Sequence, residues 1–165
     1  MPKKTLFLLT LCVFLPAMTV FAQSEQERED FWISPGGEVA MYSYSGVSWG
    51  GSMALGYGRG TSIGLKASWF LSSDGPNTLE LCFLFRFYLL GSRANSGPFI
   101  QFTGGPVLFF PKDDAVSLPA ELGMISAGLN FGWRFPLGSR WFIEPSVRAG
   151  YPYMAGAGLS AGIKF

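Results

Sequence analysis

The sequence predicts an all-β fold, an up-and-down barrel of eight antiparallel strands. Three observations carry that expectation. Large apolar residues recur at every second position in segment after segment, the period of a strand with one greasy face. Short clusters of Gly, Pro, Ser and Asn separate those segments, so consecutive strands turn back on one another. The composition also resists helices. Gly fills 22 of 165 positions, Pro 11 and Phe 16, and only 14% of residues are charged against about 25% in average soluble domains. The length suits one domain and is short for two.

The first 22 residues are a separate matter. Lys3 and Lys4 precede an apolar run from Leu6 to Phe21, and Val20-Phe21-Ala22 offers compact residues where signal peptidase reads. Residues 1–22 are therefore expected to be a secretory signal peptide cut after Ala22. The competing reading, a membrane-anchoring helix, does not explain that cleavage pattern. Cys12 follows the bulky Leu11 and lies too early for a lipidation site. Removing the segment also removes Lys3 and Lys4, which leaves a nearly neutral chain and makes nucleic acid an unsuitable partner. Cys82 is then the one remaining thiol, so no intrachain disulfide is available. Residues 23–30 are polar and mostly acidic, a solvated leader.

From Phe31 onward the expected strands follow in order, and the barrel is assigned to residues 31–165. A weak first segment spans residues 38–43 after the start Pro35-Gly36-Gly37. In residues 47–58 the odd face is Val47, Trp49, Gly51, Met53, Leu55 and Tyr57, while the even face is Ser, Gly and Ala. In residues 61–71, Ile63, Leu65, Ala67, Trp69 and Leu71 oppose Ser62, Gly64, Lys66, Ser68 and Phe70. The clearest alternation is in residues 79–90, where Leu79, Leu81, Phe83, Phe85, Phe87 and Leu89 oppose Glu80, Cys82, Arg86 and Tyr88. A second weak segment covers residues 98–110. The last three are residues 124–135, 141–151 and 155–165, whose even positions include Asn130, Arg134, Glu144, Arg148 and Lys164 among glycines and serines. Pro152-Tyr153 is expected to form the turn between the last two. Pro106 and Pro145 interrupt two of these segments. Gly104-Gly105-Pro106 is expected to form a bulge, and Pro145 has no account from sequence.

Which solvent the greasy face meets decides the rest. In a secreted lipocalin-like barrel it would enclose a lipophilic ligand; in a membrane barrel it would face lipid around a polar lumen. The opposite face is dominated by Gly, Ser and Ala, whereas a water-facing surface should be rich in Lys, Glu and Asp. Segments of about 11 residues also match a tilted strand crossing hydrocarbon. The expectation is an eight-stranded antiparallel up-and-down transmembrane β-barrel. Sorted by height, Phe31, Trp32, Tyr57, Trp133, Phe135, Trp141 and Phe165 form one aromatic girdle, and Trp49, Trp69, Phe109 and Tyr151 the other.

The pattern from Phe31 to Phe165 resembles the small eight-stranded outer-membrane barrels of bacteria, the superfamily of the outer membrane protein A transmembrane domain and outer membrane protein X. The ending carries most of the likeness: Phe165 is terminal, and Leu159, Ala161 and Ile163 alternate before it, similar to the signal read by the barrel-assembly machinery. The resemblance implies a location in the cell outer membrane, contact with its lipid, and insertion by that machinery, with a monomer as the default state.

With these phases the lumen holds Glu38, Glu80 and Glu144 together with Lys66, Arg86, Arg134, Arg148 and Lys164. Burial demands pairing. Glu144 is expected to meet Arg134 or Lys164, and Glu80 to meet Lys66 or Arg148. Such a network reads as a salt-bridge plug of structural role or, as the alternative, as the constriction of a narrow pore for small solutes or ions. The remaining motifs are weak. Gly56, Gly58 and Gly60 lead into a strand where a dinucleotide fingerprint needs a helix. Asp113 and Asp114 are too few ligands for calcium. The chain has no His, and the barrel enzymes of this architecture use one, so no catalysis, cofactor or metal is expected.

Overall fold

The computed structural model describes residues 31–43, 46–73, 75–89, 96–110 and 122–165. The expected signal peptide, the polar leader and Asp113 and Asp114 lie outside the described residues. Eight strands form one closed antiparallel barrel in sequence order: β1 (Phe31–Tyr42), β2 (Gly46–Tyr57), β3 (Thr61–Ser72), β4 (Asn77–Tyr88), β5 (Gly97–Phe110), β6 (Leu122–Leu137), β7 (Trp141–Tyr151) and β8 (Tyr153–Lys164). The up-and-down meander expected from the turn signals is the observed topology.

The register fixes the size of the barrel. Stepping across paired residues from Phe31 leads through Tyr57, Ile63, Phe85, Phe102, Leu129, Ala149 and Ala155 back to β1 at Met41, ten residues along. A shear of ten over eight strands gives a tilt of roughly 40° and a backbone radius of about 8 Å. Twelve-residue strands at that tilt stand about 30 Å tall, the thickness of a bilayer's hydrocarbon core. Such an interior is just wide enough for side chains to fill.

Alternation decides inside from outside. On β4, Phe83 is 73% exposed and its neighbour Leu84 only 2%. Leu81, Ile63, Leu65, Phe102, Ile125 and Phe131 share the exposed face, while Ser34, Ser62, Glu80, Arg86, Asn130 and Glu144 are buried. On β5 the odd positions Phe99, Gln101, Thr103 and Val107 point inward.

Several expectations change. The first strand begins at Phe31, because Pro35, Gly36 and Gly37 pair with Met53, Ser52 and Gly51 of β2 instead of preceding the sheet. The bulge expected at Gly104-Gly105-Pro106 is absent: the register is the same on both sides of it, and the irregularity lies between Val107 and Leu108. Of the five strand prolines, the three that lie away from the strand ends share one solution. Pro106 pairs with Ile125 on β6 but has no partner in the β4 register; Pro145 pairs with Leu159 on β8 but none on β6; Pro35 pairs with Met53 on β2 but none on β8. Each proline breaks the ladder on one side only and leaves the register intact, so the lost amide costs a local gap and no slip.

Two girdle assignments also fail. Trp32 is fully buried in the lumen, because β1 points its even positions inward and height alone does not reveal that. Phe109 packs inward against Tyr42, while its neighbour Phe110 lies against Trp69 on the outside. The other assigned rings, Phe31, Tyr57, Trp133, Phe135, Trp141 and Phe165 at one rim and Trp49, Trp69 and Tyr151 at the other, are exposed.

Candidate functional site

The lumen gathers the chemistry-bearing side chains, and the glycines of its wall explain how it is filled. A β-carbon at Gly56 would collide with the Trp32 indole, one at Gly132 with the Phe99 ring and one at Gly162 with the Phe142 ring. Bare backbone on β2, β6 and β8 thus makes three hollows, each holding an aromatic ring from another strand. Small residues on the lumenal face are sockets as much as spacers.

At the rim where the strands β1 and β8 begin and end, here the terminal rim, these rings surround a charged group. The Arg86 guanidinium lies between Trp32, 4.5 Å from its carbon to the ring centre, and Phe99, at 4.0 Å. Arg134 lies over Phe142 at 3.8 Å and near Trp32 at 4.6 Å. Both cations converge on Glu144. Arg86 donates to its carboxylate through Nη1 at 2.6 Å and Nη2 at 3.3 Å, and Arg134 donates through Nε. Arg86 also donates from Nε and Nη2 to Oε1 of Gln101 and from Nη1 to the Tyr88 hydroxyl. Stacking on ring faces adds to the stabilisation of a buried guanidinium.

The distal half repeats the scheme. Arg148 forms a bidentate pair with Glu80, both contacts at 2.9 Å, and reaches Glu38 at 3.3 Å. Lys66 bridges to Glu38. Tyr153, Phe70, Tyr42 and Ala40 close this end, with Thr78 hydrogen-bonded to the Tyr153 hydroxyl. The lumen therefore reads, from end to end, as aromatic, charged, polar, charged and aromatic layers.

One relation organises both layers. β4 carries Glu80 distally and Arg86 near the terminal rim, and β7 carries Arg148 distally and Glu144 near the terminal rim. Strands β4 and β7 stand across the barrel from each other, so two bridges of opposite polarity brace the same pair of walls. A slip of one strand by two residues would break both braces.

Of the partners expected for Glu144, Arg134 is bridged, together with Arg86, which spacing along the chain does not point to. Of those expected for Glu80, Arg148 is bridged, while Lys66 goes to Glu38. Lys164 is half-buried at the terminal rim, paired through its backbone with Trp32. Gln101 and the ring sockets escaped sequence reasoning, and the alternation puts Tyr88 on the lumenal face without naming a partner for it there. For Gln101 a signal existed, since Gln101 and Thr103 alternate with Ile100 and Phe102 in the weak segment. Tyr153, expected in a turn, opens β8 instead. The β1–β8 register passes from Met41–Ala155 to Tyr42–Tyr153, skipping Met154, and this bulge turns Tyr153 into the lumen.

Between the charged layers lies a cavity of about 30 Å³. It is bordered by Glu38, Lys66, Arg86 and Glu144 and by the side chains of Ser34, Ser52, Asn130 and Ser146. It has room for roughly two waters. Among the described residues no three His, Cys, Asp or Glu side chains gather at metal-binding distance. On the outer surface of β8, Leu159, Ala161 and Phe165 are exposed and Ile163 half-buried. The Phe165 ring lies 5.8 Å from that of Phe31, and its backbone N–H donates to the Phe31 carbonyl.

A closed eight-stranded barrel with an apolar exterior and a packed polar lumen has the fold of the small transmembrane β-barrels. Among solved structures it is similar to the N-terminal β-barrel domain of Pseudomonas aeruginosa OprF, with a TM-score of 0.57 and 17% sequence identity over 85% of this chain and 100% of that one. That likeness shows the fold, an eight-stranded barrel of outer-membrane type, in keeping with the resemblance carried by the strand pattern. No protein-family model and no curated protein sequence matches the chain.

Proposed function

We propose that this protein is an integral outer-membrane barrel of structural role, monomeric, with its lumen closed as a plug. The observation that carries this reading is the pair of cross-lumen braces, Arg86–Glu144 and Arg148–Glu80, each capped by aromatic rings. Charges buried in such a setting hold one another in place, and moving either would strand its partner. The exposed apolar band, flanked by aromatic side chains at both rims, supports lipid as the outer solvent over the secreted, ligand-binding alternative, and detergent dependence of solubility tests that choice. Insertion by the barrel-assembly machinery, reading Leu159, Ala161, Ile163 and Phe165, completes the proposal. The chain has no histidine to serve as general base, and no reaction is assigned to the lumen.

A narrow pore is the second reading, favoured by the polar cavity between the braces. Planar-bilayer recording with wild type and Glu144→Ala separates the two. The plug predicts no steady conductance in wild type and a loss of heat stability in the variant. Steady wild-type conductance that Glu144→Ala alters, with heat stability unchanged, would establish the pore instead.

A further inference from the structure

Strand β6 is the longest of the eight, and its end runs past the neighbouring wall. Arg134 pairs with Gly97, the first residue of β5, so Phe135, Pro136 and Leu137 have partners only on β7, at Ile143, Phe142 and Trp141. The β6–β7 hairpin therefore stands clear of β5 at the terminal rim. Residues 135–141 are all exposed, lumenal and outward positions alike, the longest such run among the described residues. Gly138, at φ +78°, makes the turn with open space around it.

Two kinds of chemistry meet on this hairpin. Leu137, 53% exposed, and Trp141, 59%, share the outward face with Phe135, whose ring stacks on Trp133. Ser139 and Arg140, beside them at the turn, offer a hydroxyl and a guanidinium to solvent. The Arg140 carbonyl accepts the Lys164 N–H at 2.8 Å, which ties the hairpin to the end of β8. Lys164 has contacts of its own, and the site does not depend on its charge. The described carboxylates, Glu38, Glu80 and Glu144, are all in the lumen, bridged to other cations. A partner for this surface must carry an anion and an apolar stretch side by side. Residues 23–30 supply four carboxylates but no apolar side chain to cover Leu137 and Trp141. A phospholipid supplies both, and an arginine next to an exposed tryptophan matches its charged and apolar layers.

We propose that the β6–β7 hairpin binds an anionic glycerophospholipid, with Arg140 and Ser139 on the headgroup phosphate and Leu137 and Trp141 against the acyl chains. The proposal rests on the reading of the outer wall as lipid-facing and adds a headgroup site at one place on one rim. The test is native mass spectrometry of the detergent-solubilised protein offered equal amounts of phosphatidylglycerol and phosphatidylcholine. Wild type should retain phosphatidylglycerol over phosphatidylcholine. Arg140→Gln should cut that preference about fivefold, the effect of one cation at an anionic surface. Leu137→Ser should weaken retention of both lipids, and Arg59→Gln, in the β2–β3 turn of the same rim, should leave the preference unchanged. Substitutions at the exposed Arg140 and Leu137 leave buried packing untouched, so the barrel still folds. No preference in wild type, a preference surviving Arg140→Gln, retention untouched by Leu137→Ser, or an equal loss in Arg59→Gln would overturn the proposal. So would a preference seen only after Glu25, Glu27, Glu29 and Asp30 are replaced by their amides, which would make that acidic segment the occupant. A barrel that needs detergent yet shows no lipid preference loses this site alone; a chain soluble without detergent loses the outer-membrane reading as well.

Discussion

Replacing Glu144 by Gln keeps the shape of the side chain and removes the charge that two buried guanidiniums share. Arg134 is 0% exposed and Arg86 3%, so no solvent can take over from the carboxylate. Glu144 accepts two contacts from Arg86, at 2.6 and 3.3 Å, and another from Arg134 Nε. Leaving a buried charge without its counter-ion costs about 3–5 kcal/mol. Ring stacking on Trp32, Phe99 and Phe142 survives the change and places the expectation near the lower figure, about 3 kcal/mol. Arg86→Gln is the control. It leaves Glu144 paired with Arg134 and a neutral group behind, and should cost less, about 1–3 kcal/mol. Urea titration of tryptophan fluorescence in lipid vesicles measures both, by linear extrapolation. A loss below about 1 kcal/mol for Glu144→Gln, or a larger loss for Arg86→Gln, would refute the shared-carboxylate argument.

Three further outcomes follow from the same geometry. Phe83→Arg places a charge on the most exposed ring of β4 and should destabilise the vesicle-embedded barrel by about 2–4 kcal/mol, read by the same titration; no loss would mean the ring does not meet hydrocarbon. Gly64→Val should prevent the compact, heat-resistant form seen on cold gel electrophoresis, because a β-carbon at Gly64 collides with the Leu55 carbonyl. Gly37→Ala should leave that form intact, because its β-carbon finds nothing nearer than 3.8 Å. Deleting Phe165 should reduce insertion into the outer membrane of cells, followed by membrane fractionation, while refolding into detergent proceeds as in wild type; equal loss in both would make Phe165 a stability residue instead.

Legibility in the sequence followed the range of the interaction. The period of two in β4 is a local property, and it identified Leu81, Phe83 and Phe85 as one face and Glu80 and Arg86 as the other. The membership of the lumenal charge set is equally local. Who meets whom across the lumen is not, because it depends on a shear of ten that only the closed ring of registers defines. Arg86 therefore reaches Glu144, a pairing no spacing along the chain announces. Trp32 shows a different failure: its height suits a girdle, yet the phase set by Ser34 and Glu38 sends it inward. Tyr153 fails because the skipped Met154 resets the alternation that residues 155–165 establish. The glycines were legible as small residues, but their function as sockets for Trp32, Phe99 and Phe142 belongs to neighbouring strands.

The orientation of the sheet is tested most directly by spin labels placed one at a time at positions 79–87 of β4, in a Cys82→Ser background and in lipid vesicles. Collision rates with oxygen, which partitions into hydrocarbon, and with a water-soluble nickel complex are recorded at each site. The account predicts oxygen maxima at positions 81, 83 and 85, minima at the lumenal positions 80, 82 and 84, and little nickel contact at the maxima. Nickel contact at positions 81, 83 and 85, or no alternation between adjacent sites, would contradict it.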